Sequence, residues 1–325
     1  MRLVLFEGPG AGRGIRPGVL TDAGVVDLAR VTDGFDARTP QELMTQIIDD
    51  FDELRPIFEE VVDSTRPIPT DIVRLRPPLP RPGKILCCIG NYWEHEQRDP
   101  RPLNIFLKNP DAVIGPGDTI VLPQYNNNEK YGDSPGPYVF QHEAELALVF
   151  KGPSKSVPRD DWRSAVFGVT GMIDVSARAE ARSTWRQGSW MGKSFDTFAP
   201  IGPAITTLDE VVDPNAIHVR FWNNGDLRHD YNTDDMEHRV PQLVEFASGI
   251  MTLNSGDILA CGTNHEGLGP LQDGEICEFD VEKVGRMTLY VRDPLKRVWE
   301  RGIYMGENST NPEARRLRQQ QAGGA

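Results

Sequence analysis

The sequence predicts a mixed α/β protein that is mainly β: a small N-terminal α+β domain, then a larger β-rich one. Three observations carry this. Glycine (31) and proline (26) are plentiful in 325 residues, which favours many turns and short strands. The apolar runs are short and bounded by turn residues, as in KILCCIG at 84–90 and GDTIVLP at 117–123. Helical periodicity is confined to a few brief segments. A chain this long can bury one large core, or a large and a small one.

Residues 1–76 read as the small domain. Leu3 to Phe6 is a short strand, and GVLTDAGVVDL at 18–28 places a turn between two apolar runs, a hairpin pattern. The glycines at 8, 10, 12 and 14 invite comparison with a phosphate loop. No apolar helix follows them, so no helix N-terminus is there to hold a phosphate, and a mobile loop is the better reading. Thr39-Pro40-Gln41-Glu42 has the spacing of a capping box with proline at the first helical position. Leu43, Ile47, Phe51 and Leu54 then fall on one helical face. The proline-rich stretch RLRPPLPRPGK (74–84) reads as extended linker, with 77–83 its centre.

The larger domain spans 84–306. KILCCIG is a buried strand opening into a polar loop, Asn104 to Lys108 reads as a further strand, and GPGDTIVLP (115–123) as a turn and then a strand stopped by proline. Residues 124–140 are polar and turn-rich, a surface loop or a lid. A short helix is expected at 159–165, capped by Asp160, and another at 240–249, stopped by Gly249. LNSGDILACGTN (253–264) repeats the earlier order of turn, Gly-Asp and strand, and 271–291 alternates as paired strands. The polar tail from about 307 reads as disordered.

Composition narrows the partners. A net charge of −13 argues against nucleic-acid and anionic-membrane surfaces, which need clustered cations. No apolar run approaches the roughly 20 residues of a spanning helix. The opening MRLVLFEGPG has too short an apolar segment for a signal peptide, so a cytoplasmic location is expected. Four cysteines without CxxC spacing read as buried thiols rather than a zinc site.

The chemistry centres on 141–196. In QHEAELALVF, Glu143 and Glu145 are two apart on a strand-like run, so their side chains share a face with Cα atoms roughly 6.6 Å apart. Paired acids on a strand commonly form a solvated face. Here Ala147 and Val149 continue that face and Ala144, Leu146 and Leu148 line the other, so both faces read as buried. Buried carboxylates must be paired or bound to metal. With Asp174 and Lys193 further on, they suggest a site for a hard divalent ion with a cation beside it.

Eight successive motifs then resemble the fumarylacetoacetate hydrolase family over about residues 84–295: GNYWEH, FLKNPDAVIGPGDTIVLP, HEAELALVF, GVTGMIDVSAR, GKSFDTFAPIGP, NNGDLRHDYNT, LNSGDILACGT and LQDGEICEFDVEKVG. The resemblance implies a β-roll or β-sandwich of antiparallel strands with flanking short helices, in a homodimer. It implies Mg²⁺ or Mn²⁺, with Ca²⁺ as a further candidate, on Glu143, Glu145 and Asp174. It implies catalytic roles for His95 and Lys193, and places Arg178, Tyr92 and Thr263 toward the substrate. The family's substrates are keto acids, and the activity it implies first is hydrolysis of a C–C bond in an acylpyruvate or 1,3-diketo acid during catabolism. Decarboxylation, tautomerisation or isomerisation, and hydration stay open, as does a non-catalytic binding role.

The sequence departs from the family pattern in places. A glutamine often found seven residues after the metal aspartate is Ala181, and the usual proline after Gly-Thr is Asn264. Some members pair the loop histidine with a glutamate three positions on. Here that place is Arg98, which suits an anionic substrate group instead, and Glu94 and Glu96 would point elsewhere if the segment were helical. His142 points away from the glutamates by strand alternation.

Overall fold

A computed structural model describes residues 1–9, 14–94, 96, 98–124, 139–178 and 190–299. The Gly-rich loop at its centre, most of the 124–140 loop, His95, Ala181 and the C-terminal tail lie outside these described residues.

The N-terminal elements follow the sequence pattern closely. β1 (Arg2–Glu7) pairs antiparallel with β2 (Arg16–Thr21), and β2 turns tightly into β3 (Gly24–Asp27), with Thr21 opposite Gly24. Gly24 is required at this turn: its φ is +139°, and a Cβ there would lie 2.2 Å from the Ile68 carbonyl oxygen. α1 (Pro40–Asp49) begins as expected, with the Glu42 N–H donating to the Thr39 hydroxyl at 3.1 Å. The reciprocal half of the box differs, because the Glu42 carboxylate accepts from the Arg38 N–H at 2.7 Å. The helical face continues across a break at Asp50 into α2 (Phe51–Ser64), burying Met44, Ile47, Phe51, Leu54 and Phe58.

β4 (Arg74–Arg76) pairs with β1, so the start of the proline-rich stretch is sheet, and Leu79 within it is fully buried. There follow β5 (Ile85–Cys88), β6 (Ile105–Lys108), β7 (Val113–Ile114), β8 (Thr119–Val121), β9 (Val139–Gln141), β10 (Ala144–Phe150), β11 (Val166–Ile173) and β12 (Ser176–Arg178). α3 (Trp190–Lys193) leads to β13 (Ala199–Thr207), α4 (Leu208–Val211), β14 (His218–Asn223) and β15 (Asp226–Asn232). α5 (Val240–Ile250), β16 (Ile258–Ala260), β17 (Ile276–Val281) and β18 (Gly285–Arg292) complete the described chain. The turn at 159–164 is a 3₁₀ helix entered from Pro158 without a side-chain cap, so Asp160 lies inside its first turn. α5 runs through Gly249 to Ile250, because Met251 supplies the extended residue that ends it.

The larger sheet runs β3-β2-β1-β13-β11-β10-β16-β5-β6, with β4 added at β1 and β7 at β13. A second sheet runs β15-β14-β17-β18-β8. The main core lies between the sheets: Leu146, Leu148 and Phe150 of β10 meet Phe221 of β14 and Phe279 of β17, with Leu243 and Val244 of α5. The opposite face of β10, Ala147 and Val149, packs in a second core with Ile85, Ile258 and the buried side of α1 and α2. β10 is therefore covered on both faces, as its continuous apolar pattern requires. The mainly-β mixed architecture expected from the sequence is the one observed. Among the described residues, no helix is long and apolar enough to cross a membrane. All four cysteines are free and buried.

Candidate metal centre

The centre forms where three strands of the large sheet end together. Ala144 of β10 is paired with Ile173 of β11, and the next step of that ladder is the Asp174 N–H donating to the Glu143 carbonyl at 2.8 Å. Glu143 thus lies just before the strand, and Asp174 just after its partner strand. Beyond β16, the Cys261 N–H donates to the Leu146 carbonyl at 2.9 Å, which brings Gly262 alongside Glu145. One carboxylate oxygen from each of Glu143, Glu145 and Asp174 lies within 4.8 Å of the others. Their exposures are 5%, 0% and 0%, so water cannot compensate the charge.

Cations from elsewhere close in. The Lys193 ammonium, at the end of α3, donates to Glu143 Oε2 and Asp174 Oδ2, both at 2.7 Å. Arg178 Nη2 donates to Glu143 Oε1 at 2.5 Å, and the Ser176 hydroxyl reaches the same oxygen at 3.0 Å. Lys108, at the end of β6, donates to Asp174 Oδ1 at 2.5 Å and to the Val175 carbonyl at 3.1 Å. The sequence reading missed Lys108. Its signal was a lone lysine ending an apolar strand run, whose importance depends on β6 lying next to β5 and near Asp174.

Glu145 is treated differently. Its Oε2 accepts the Gly262 N–H at 2.7 Å, while its buried Oε1 has no hydrogen-bond partner among the described residues. Burial, and then the charges of Asp174 and Glu143, push its carboxyl well above the usual range. Burial would also raise Glu143, but Lys193, Arg178 and His265 outweigh it and hold that carboxyl low. Burial would lower Lys193, yet Asp174 and Glu143 keep its ammonium charged. Three buried carboxyl groups converging on one point, one of them with an oxygen that no described residue bonds, have the donor chemistry for one hard divalent cation.

The surrounding wall is ordered. Tyr92 is buried, with its ring edge-on to Tyr231 at 5.0 Å, and Tyr231 donates to the Ala144 carbonyl at 2.5 Å. Thr263 is buried immediately after Gly262. His142 is turned away from the carboxylates, stacked on Phe221 and 3.0 Å from His229. His229 Nδ1 meets the Asn264 carbonyl at 3.1 Å, and burial lowers this imidazole from its ordinary 6.5 to about 4. The segment after Asn91 is not helical. Glu94 has a φ of +53°, and its carboxylate accepts from His265 Nδ1 at 2.5 Å. Arg98 is held by Glu96 at 2.8 Å and by Glu237, which ties the loop to the segment before α5 rather than leaving the guanidinium for a substrate.

Residues 84–292 match the C-terminal domain model of fumarylacetoacetate (FAA) hydrolase, well over half of the chain. The chain belongs to the fumarylacetoacetate hydrolase family. Within that family it is similar to the maleylpyruvate hydrolase of Sphingobium sp. SYK-6, solved with manganese(II) and pyruvate: 34% identity, TM-score 0.76, covering 90% of this chain and 99% of that one. A mitochondrial oxaloacetate tautomerase of Bos taurus is 32% identical over 305 residues, 88% of this chain and 90% of its own length. The 5-carboxymethyl-2-hydroxymuconate delta-isomerase of Mycobacterium smegmatis is 28% identical with a TM-score of 0.67, covering 90% of this chain and 99% of that one. Family members with this fold thus carry hydrolase, tautomerase and isomerase names.

Proposed function

We propose that the chain is a divalent-metal-dependent hydrolase that cleaves a C–C bond in an acylpyruvate or related 1,3-diketo acid. The observation that carries this is the convergence of Glu143, Glu145 and Asp174, with a buried Glu145 oxygen that no described residue bonds. Mg²⁺ or Mn²⁺ is the cofactor of this reading, with Ca²⁺ less suited because it favours more ligands. When bound, such an ion would polarise the substrate's ketone and favour the charge of an enolate. The chain's own residues do the rest. The Lys193 ammonium would stabilise developing negative charge from the side of Glu143 and Asp174. Arg178 would hold the substrate carboxylate, and Tyr92 and Thr263 would shape the wall against which it lies. His95 is assigned the proton of the attacking water, on the strength of the GNYWEH motif. Homodimer assembly and a cytoplasmic location belong to the same reading.

The likeness to a maleylpyruvate hydrolase solved with pyruvate supports this choice, because pyruvate is the fragment an acylpyruvate would release. A second reading, tautomerisation of a 2-oxo acid, is favoured by the likeness to oxaloacetate tautomerase and by Arg98 standing where some members carry a glutamate. The test is a panel of acylpyruvates and oxaloacetate with Mg²⁺ or Mn²⁺, read by product mass. Two fragments support hydrolysis, unchanged mass with loss of the enol absorbance supports tautomerisation, and released CO₂ supports decarboxylation. No turnover together with no thermal shift on adding either ion would favour a non-catalytic protein.

A further inference from the structure

Glu94 and His265 form a buried pair that the roles assigned above do not use. The Glu94 carboxylate accepts twice from one residue, from the His265 backbone N–H at 2.8 Å and from ring Nδ1 at 2.5 Å. The Glu94 side chain is fully buried and that of His265 is 13% exposed. This arrangement puts the proton on Nδ1 of the neutral imidazole and leaves Nε2 as the acceptor. No described residue bonds Nε2.

Both halves of the pair are held rigidly. Glu94 keeps a left-handed backbone that a non-glycine residue adopts only at a cost, and its N–H donates to Asp235 Oδ2 at 3.1 Å. His265 opens a 3₁₀ turn capped by Asn264, whose side-chain oxygen accepts the Glu266 N–H at 2.9 Å. The His229 ring braces the Asn264 carbonyl, and Gly267 packs so closely that a Cβ would lie 1.9 Å from the Arg228 carbonyl oxygen. Three residues before His265, Gly262 is bonded to Glu145. The dyad therefore borders the carboxylate cluster, on the strap that also carries Thr263.

We propose that His265, oriented by Glu94, moves the proton at the carbon next to the ketone of the bound 2-oxo acid. The inference rests on the metal-centre reading given above. In the step, neutral Nε2 takes a proton from C3, and the C–H electron pair becomes the C2=C3 bond of the enolate. The imidazolium then returns a proton to C3, and the pair goes back into a C–H bond. An enolate released by C–C cleavage needs only the second half, from a His265 that has first taken a proton from solvent water; in enol-to-ketone tautomerisation the enol O–H proton leaves to solvent as C3 is protonated, so the assignment serves both reactions. His265 is the catalytic residue of the step and Glu94 its positioning residue.

The experiment follows deuterium uptake at C3 of pyruvate in D₂O, with the full chain and Mg²⁺, by proton NMR. Mg²⁺ affinity is measured by calorimetry on the same samples, and a downfield imidazole N–H resonance reports the Glu94–His265 bond. Wild type should exchange C3 and show the resonance. His265→Gln should slow exchange by about 100-fold or more while Mg²⁺ affinity stays within about threefold. Glu94→Gln should lose the resonance and lower kcat for exchange about tenfold or more without raising KM, and Glu94→Asp should recover part of that rate. Exchange by His265→Gln at close to the wild-type rate, with Mg²⁺ bound, would overturn the proposal and leave the metal reading standing. Wild type that neither binds Mg²⁺ nor exchanges C3 would overturn both. If His265→Gln fails to fold, the Glu94 pair decides: an unchanged kcat in Glu94→Gln overturns the proposal.

Discussion

Two substitutions in one cluster should have very unequal effects on the metal-free protein. Asp174 is paired with Lys108 at 2.5 Å and with Lys193 at 2.7 Å, and all three side chains are 0–5% exposed. Asp174→Asn keeps the shape but leaves two buried ammonium groups short of a counter-charge. Lys108 then retains only the Val175 carbonyl among its described partners. Breaking buried pairs in this way costs about 3–5 kcal/mol. With an unfolding entropy of about 2.1 cal/mol/K per residue over roughly 300 residues, that lowers Tm by about 5–8 °C. Glu145→Gln removes no ion pair. Burial and its two acidic neighbours raise the Glu145 carboxyl well above the usual range, and glutamine is a near isostere of its protonated form. Its amide oxygen can still accept the Gly262 N–H, so metal-free stability should change by less than about 1 kcal/mol. Both variants should bind Mn²⁺ about 10–100-fold more weakly, since each removes one of the three carboxyl groups proposed to hold it. The assay is calorimetric unfolding of chelator-treated protein at pH 7, followed by Mn²⁺ titration. Equal destabilisation by the two substitutions would refute the reasoning, because it would mean that Glu145 is an ionised partner in the metal-free site.

Other outcomes follow from the same structure. Saturating wild type with Mg²⁺ or Mn²⁺ at about 100 times its Kd should add ~2.7 kcal/mol, a rise of about 4 °C in Tm, abolished by chelator and by Glu143→Ala. His229 titrates at about 4 in the folded protein against 6.5 ordinarily, so the folded state binds fewer protons between these values. Its contribution is complete above about pH 6.5 and is lost as pH falls toward 4, at most ~3 kcal/mol at 1.4 kcal/mol per pH unit. His229→Gln should flatten that part of the stability–pH curve, measured by urea unfolding. Gly171→Ala would place a Cβ 2.6 Å from the Phe279 ring and 2.7 Å from the Gly202 carbonyl oxygen. It should destabilise by about 1–3 kcal/mol in a denaturant titration, by forcing the two sheets apart.

Much of this molecule was legible before its folding was known, and the reasons differ by element. The hairpin at 18–28 and the Thr39-capped helix are local: turn residues, cap spacing and apolar period lie within a few positions of one another. The Glu143–Glu145 pair was readable because both faces of β10 are apolar, which excludes a solvated acidic face. Lys108 was not readable. It reaches Asp174 across 66 residues of sequence, and nothing near it marks that meeting. The same holds for Glu94, expected to point aside if its segment were helical. A left-handed residue in an irregular loop has no periodic signature, and its partner His265 is 171 positions away. Arg98 had the right charge for an anion, but Glu96 beside it and Glu237, 139 positions on, claim it first.

The joining of β1 to β13 has a consequence for anyone trimming the chain at the start of the family domain. Removing residues 1–83 would unzip one margin of β13, baring a row of hydrogen-bonding backbone groups ready to recruit another chain. It would also strip α1 and α2 from Ala147, Val149 and Ile258, the wall behind the strand that presents Glu145. A fragment starting at 84 would keep every acidic ligand, yet would stand on a foundation with one side dug away.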